Sequence, residues 1–360
     1  MKAFYAYFGL LDLHTIDSPG HSLYQLGLMD SIRLEFGVEK FDFFSYYPED
    51  LQAAELLRHE KYPDNALGHL FTGYRESMID TYGLMLEESL LRIKNKEYSH
   101  VFLKARFRNI STLTKKWKDA AAFEKLISMA IDAGYSADEI IILDTDLSLP
   151  PSFYTKYSDK VTVKIPSIDF KGISDRFLND CVAIHKAADY STRAVSSVFY
   201  GNINTSNYKS GNSKSEMLSE ALCYFFSRVD YFSDDFTIIG KSSDFDEITT
   251  SGVSGIYRNS RSAIWHALEK NLIMLNVTKD KYNEKKFIPA RIYEAMIFGM
   301  IPVSYKFNFL CETFSFNTIE DLNEIVQYLN ECEPEDLKKA YLRFVKDYQE
   351  YVDGKHELPF

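Results

Sequence analysis

Arg291 and Glu294 stand three residues apart in a stretch that is otherwise apolar nearly all round: Ile288, Ala290, Ile292, Tyr293, Ala295, Met296, Ile297 and Phe298. That composition marks a buried helix. A charged pair in it needs a partner or a task, because burying charge is costly unless it is hydrogen-bonded. The i, i+3 spacing puts both side chains on one face. There a guanidinium can grip a diphosphate through its forked geometry, and the carboxylate can accept both hydroxyls of a ribose. An ion pair internal to the helix is the alternative.

Asp144-Thr145-Asp146 follows the apolar run EIIIL. An aspartate at the carboxyl end of a parallel strand suits a general base. The D-x-D spacing also suits a metal-bound nucleotide-sugar, and Asp equally favours turns and caps. A polar loop, Gly201–Ser213, carries Lys209-Ser210-Gly211 just before a helix-like stretch. Backbone N–H groups there, with a lysine beside them, would make an anion site, although the spacing is not that of a Walker A loop and such loops often only connect. Asp280-Lys281 lies in a charged segment that also reads as solvated loop. His21 follows Ser18-Pro19-Gly20 and opens the first helix; a lone His is as readily a surface or core residue. From Lys104 to Lys118 six basic residues (Lys104, Arg106, Arg108, Lys115, Lys116, Lys118) meet no acid and enclose Trp117. This is a candidate phosphate-contacting patch or a solvated helix face.

Elements must position these groups. Residues 2–9 read as a buried strand, and a helix from about Leu23 ends at Gly37, followed by the strand KFDFFSY. Residues 48–95 are mixed and read as helical. HVFLKA is a strand, AAFEKLISMAIDAG an amphipathic helix, and EIIILDTD a strand apolar enough to be covered on both faces. The pattern restarts after about residue 170. AVSSVFYG, FTIIG, NLIMLNV and MIPVSY are strands, and SRSAIWHALEK and IPARIYEAMIFG are helices, the second with Gly299 in the C′ position. Thr318 and Asp321 have capping-box spacing ahead of a helix, and a final amphipathic helix spans about 333–352. This alternation predicts an α/β protein of two Rossmann-like, doubly wound parallel-sheet domains, with ligands beyond the carboxyl ends of the strands. The expected boundaries are 1–170, 171–332 and a terminal piece, 333–360.

Composition limits the function classes. The chain has 360 residues, a net charge of −11, 46% apolar residues and 15% aromatics, which fit ordinary globular cores rather than disorder. No apolar run is long enough to span a membrane. Asp12 and His14 interrupt the apolar start, so a signal peptide is not expected. Cys181, Cys223, Cys311 and Cys332 show no C-x-x-C spacing, which speaks against a zinc cage or a disulfide scaffold. The negative balance predicts weak non-specific affinity for nucleic-acid backbones unless basic residues are concentrated locally.

The segment TKDKYNEKKFIPARIYEAMIFGMIPV resembles the T-even phage DNA β-glucosyltransferase family, GT-B enzymes that transfer glucose from UDP-glucose to 5-hydroxymethylcytosine in duplex DNA. Asp280, Lys281, Asn283, Phe287, Ile288, Arg291, Tyr293, Glu294 and Met296 match the family pattern in order. Tyr200-Gly201 and Tyr208-Lys209-Ser210-Gly211-Asn212 are similar to its Y-G … F-R-S-G-Q. Thr145-Asp146-Leu147-Ser148-Leu149-Pro150 is similar to its T-D-I-x-L-P, and TIDSPGHSLY to its T-V-P-S-S-E-T-I-Y.

The resemblance implies a GT-B fold whose last helix packs back on the first domain. It makes Asp146 the catalytic base and gives donor contacts to Arg291, Glu294, Lys209, Ser210, Gly211, Ser213, Lys214, Tyr257, Asp280, Gly20 and His21. Lys209 and Ser213 stand where the family has arginines, and His21 where it has Glu. These departures flank the donor site and admit UDP-arabinose beside UDP-glucose. Lys104, Arg106, Arg108, Lys115, Lys116 and Lys281 are the expected DNA contacts. The resemblance further implies a flipped acceptor base, evasion of restriction, the cytoplasm of an infected bacterium, a monomer, and no membrane partner. Mg2+ or Mn2+ is compatible but not demanded. Rival expectations are a UDP-sugar transferase with a protein, lipid or small-molecule acceptor, and a non-catalytic UDP-binding protein.

Overall fold

Short runs of β-branched and aromatic residues build one parallel sheet in each half of the chain. The computed structural model describes residues 1–7, 19–44, 62–105, 118–145, 147, 149–200, 217–218, 220–221, 224, 236–239, 256–257, 261–278, 280–306, 309–310 and 312–356. Two compact units divide the chain: 1–14 with 25–177, and 15–24 with 178–360.

In the first unit the elements are β1 (Lys2–Tyr7), α1 (Pro19–Phe36), β2 (Lys40–Phe44), α2 (Ala66–Met78), β3 (Ile79–Leu84), α3 (Leu86–Lys94), β4 (Val101–Ala105), α4 (Lys118–Asp132), β5 (Ile140–Asp144), α5 (Pro151–Tyr157), β6 (Thr162–Lys164), α6 (Pro166–Asp169) and α7 (Asp175–Ala187). The first turns of α1 and the later turns of α7 belong to the second unit. Every strand pairing is parallel, in the order β3-β2-β1-β4-β5-β6. All five residues of β4 and of β5 are buried, as continuous apolar runs require when both faces are covered. Phe4, Val101, Leu103, Ile140, Ile142, Phe123, Leu126 and Phe153 form part of that core. Gly37 ends α1 with φ +62°, the left-handed conformation that glycine takes without strain. Among the described residues of this unit two carboxylates are fully buried, Asp30 and Asp42, and Asp42 is compensated. Lys2 Nζ lies at 2.8 Å, Arg92 Nη1 at 2.8 Å, and Tyr98 OH donates to it at 2.9 Å.

The second unit continues with β7 (Ala194–Tyr200), β8 (Phe236–Ile239), β9 (Ile256–Tyr257), α8 (Arg261–Lys270), β10 (Asn271–Asn276), α9 (Asp280–Glu284), α10 (Ala290–Ile297), β11 (Ile301–Tyr305), β12 (Ser315–Phe316), α11 (Ile319–Glu331) and α12 (Pro334–His356). Its sheet is again wholly parallel, in the order β12-β11-β10-β7-β8-β9. Read by chain order within the unit, this is the same doubly wound scheme as the first. The protein is therefore α/β, with two parallel sheets of the kind the alternating pattern predicts. The capping box forms as expected: Thr318 Oγ1 accepts from Asp321 N–H at 3.1 Å, and Asp321 Oδ2 from Thr318 N–H at 3.0 Å.

Four differences from the sequence expectation have physical reasons. β3 lies inside the stretch read as helical, where it forms the short outer strand beside β2. β6 and β12 are three- and two-residue edge strands, too short to leave a period-two signature. The charged segment after β10 opens with a five-residue helix, α9, rather than continuing as loop. The unit boundary expected near residue 170 falls between Phe177 and Leu178, and α12 is grouped with the second unit. No helix among the described residues is long and apolar enough to cross a membrane.

Candidate functional site

In a doubly wound sheet the order reverses between the first and fourth strands, and ligands bind beyond the carboxyl ends there. In the second unit those strands are β7 and β10. Strand β10, NLIMLN, is wholly buried and apolar until Asn276 closes it. Arg291 Nη1 donates to the carbonyl of Val277, the next residue, at 3.4 Å. This contact sets the guanidinium at the carboxyl end of β10, beside the reversal of strand order. Glu294, one turn further along α10, is 2% exposed. The other residues of the helix from Ile292 to Ile297 are also buried, whereas Arg291 is half-buried, so of the two charged residues only Glu294 is embedded.

Neutral polar groups surround the same strand end. Asn276 Nδ2 donates to Ser304 Oγ on β11 at 3.2 Å, and Thr278 Oγ1 to Asn283 Oδ1 at 3.4 Å. Asn276, Thr278 and Ser304 are buried and were not picked out from sequence. Their signal was available: an Asn and a Thr that interrupt an apolar strand just before a charged turn.

The start of α1 comes to this helix. Tyr24 stacks on Tyr293 with ring centroids 4.8 Å apart and planes at 17°, and Tyr348 of α12 meets Tyr293 edge-on at 5.7 Å. Burial raises the Tyr293 phenol well above its ordinary range. Tyr293 lies between Arg291 and Glu294 in sequence. Gly20 and His21 occupy the first turn of α1, and residues 15–24 belong to the second unit. The described backbone thus brings the chain segment of Gly20 and His21 to the helix of Arg291.

In the first unit the corresponding strands are β1 and β4, with β5 next to β4. Tyr7 pairs with Lys104 and Ala105 with Asp144, so the carboxyl ends of all three strands lie side by side. Asp144 is 2% exposed, and its Oδ2 accepts from Leu149 N–H at 3.2 Å. It therefore holds the turn that follows β5, the turn-forming role open to it from sequence. Within that turn Leu147 has φ +51°, a left-handed conformation uncommon for a non-glycine residue and frequent at functional sites. Thr145 is buried and its Oγ1 has no hydrogen-bond partner among the described residues. Tyr154, 42% exposed on α5, has its phenol pushed up by partial burial and, next, by the charges of Asp144 and Asp169. Asp146 itself lies outside the described residues.

One expectation is corrected. Lys104 does not offer a surface to a phosphate backbone: it is 1% exposed, because β4 is a central strand covered on both faces. Arg106, Arg108, Lys115 and Lys116, and the loop residues Lys209, Ser210, Gly211, Ser213 and Lys214, lie outside the described residues. For Asp280, Lys281 and Tyr257 only the backbone is described, at the start of α9 and in β9. Among the described residues no group of three or more His, Cys, Asp or Glu side chains is placed to hold a metal ion. Compared with known proteins, the chain matches no protein-family model and no curated protein.

Proposed function

We propose that this protein is a GT-B-type glycosyltransferase that moves a sugar, glucose or arabinose, from a UDP-sugar to 5-hydroxymethylcytosine in duplex DNA. The observation that carries the reading is the position of Arg291 on Val277 O at the carboxyl end of β10, with buried Glu294 one turn away. A cation and a carboxylate at that point of a doubly wound sheet suit a nucleoside diphosphate. Arg291 and Lys209 would offset charge on the departing diphosphate, and Glu294 would hold the ribose. Asp146, two positions after Asp144 in the sequence, would take the proton from the hydroxymethyl group. Its oxygen would then attack the anomeric carbon in one displacement, with inversion. Ser210, Gly211, Ser213, Lys214, Tyr257, Asp280, Gly20 and His21 complete the proposed donor site. Arg106, Arg108, Lys115, Lys116 and Lys281 are the proposed DNA contacts. The proposed setting is the cytoplasm of a phage-infected bacterium.

The net charge of −11 favours a second reading, the same donor chemistry on a protein, lipid or small-molecule acceptor. Mass spectrometry of hydroxymethylated duplex DNA, incubated with the protein and a panel of UDP-sugars, decides between them. Mass added to DNA is expected; donor hydrolysis without transfer would favour the second reading, and neither product a non-catalytic UDP-binding protein. Binding to the duplex should also weaken steeply with salt, with a log–log slope of several units.

A further inference from the structure

Helix α10 has eight residues. A helix this short is not held by propensity, and its last carbonyls need partners. Glu294 O accepts from Phe298 N–H at 3.0 Å and Ala295 O from Met300 N–H at 2.8 Å. Side chains from three other segments take up the carbonyls that follow. Tyr341 OH of α12 donates to Met296 O at 2.8 Å, and His185 Nε2 of α7 to Ile297 O at 2.7 Å. In the segment that leads into β7, Arg193 Nη1 and Tyr190 OH both donate to Gly299 O, at 2.8 and 3.1 Å. Gly299 has φ +69°, and a Cβ on it would fall 2.6 Å from His185 Nδ1. The imidazole can close on this turn only because residue 299 has no side chain.

We propose that His185, Arg193, Tyr190 and Tyr341 are positioning residues: they lock the far end of α10 and so fix Arg291 and Glu294 at the end of β10. The nucleotide they serve rests on the reading under Proposed function; the lock itself does not. Its reach is short, because the carbonyl of Glu294 is bonded to Phe298 N–H inside the clamped turn. Loosening that turn therefore frees the residue that would hold the ribose.

The geometry also assigns a tautomer. His185 Nε2 faces a carbonyl and carries the proton, whereas Nδ1 stands 3.4 Å from Arg193 Nη2 and accepts. Protonation of Nδ1 would set two cations against each other. Burial, and after it the charge of Arg193, push the His185 pKa down to about 4, which keeps the ring neutral. The Tyr341 ring meets the imidazole edge-on at 5.5 Å. Lys338 lies 5.8 Å over the Tyr190 ring, and the charge of Glu269 acts on Arg193.

The test uses the full chain with His185→Phe and, as the milder change, Tyr341→Phe. Amide hydrogen exchange over residues 294–300 should speed up about tenfold in the first and about threefold in the second, the range for a lost buried hydrogen bond. The UDP dissociation constant should rise by similar factors, and neither substitution should weaken binding further in a Glu294→Ala background. Unchanged exchange overturns the lock. Faster exchange with unchanged UDP affinity, or losses that simply add in the double variants, overturns the positioning role. If the wild type binds no UDP, the nucleotide reading and the positioning role fall together, while exchange still decides the lock. Nitrogen NMR of labelled histidine should show His185 protonated on Nε2 alone at pH 6; an imidazolium there overturns the tautomer.

Discussion

The two sheets share one strand order and end in opposite chemistry. Beyond β5 in the first unit stand a buried carboxylate bonded to the Leu149 amide and a left-handed leucine. Beyond β10 in the second stand a guanidinium on a backbone carbonyl, a buried glutamate and a set of neutral amides and hydroxyls. Topology makes both ends available for ligands, but it does not choose which ligand. That choice lies in a few side chains at strand ends, where the chain leaves the apolar ladder and each polar group must find a partner. A proton acceptor suits the first end and an anionic, hydroxyl-bearing ligand the second.

The largest expected effect separates the two ends. Asp146→Asn should lower turnover by about 10²–10⁴-fold, the range for a lost general base, while UDP affinity measured by calorimetry stays as in wild type. Full activity would remove the base assignment.

Next comes a pH effect that belongs to the second unit. The folded state depresses the His185 pKa from 6.5 to about 4, so the unfolded chain takes up the proton first. The stabilisation is complete above the unfolded value and is lost as pH falls from about 6.5 to about 4, by about 3 kcal/mol in total. Urea unfolding at pH 7 and pH 4.5 should therefore show a steeper loss in wild type than in His185→Phe. Parallel losses would break the contrast.

Glu294→Ala should weaken UDP by roughly 1–3 kcal/mol, the cost of leaving buried partners unpaired; equal affinity in a titration would contradict the ribose role. Asp144→Ala tests the first end from its structural side. Losing the bond to Leu149 should destabilise the protein by about 1–2 kcal/mol without weakening UDP, and a thermal melt with no shift would argue against a turn held by Asp144. The smallest effect is a control away from both ends. Thr318→Ala removes the cap of α11 and should cost about 1 kcal/mol in stability, leaving turnover and UDP binding unchanged.

Much of the fold was legible because its signals are local. The apolar runs of β4, β5, β10 and β11, the left-handed glycines Gly37 and Gly299 and the Thr318–Asp321 box each follow from residues within one turn or strand. The alternation of those elements gave the α/β class. The edge strands were not legible, since two or three residues carry no period, and β3 was hidden in a stretch whose pattern is mixed. At the candidate site the pair Arg291 and Glu294 was legible as misplaced charge in an apolar helix. The role of Asp144 was open, because an Asp after a strand serves a turn or a proton transfer equally well. Lys104 was misread because its neighbours in sequence are basic, whereas its neighbours in space are buried strands.

The sequence by itself determined which of the longer apolar and amphipathic segments become strands and helices, and which residues carry charge among apolar neighbours. Local propensity and periodicity depend on neighbours a few positions away. Only the tertiary structure decided that Val277 receives Arg291, that the start of α1 belongs with the second unit through Tyr24 and Tyr293, and that His185, Arg193, Tyr190 and Tyr341 converge on the last turn of α10. Those partners lie up to hundreds of positions apart in the chain. Such contacts are selected by packing and by the need of each buried polar group for a partner, which no local pattern encodes.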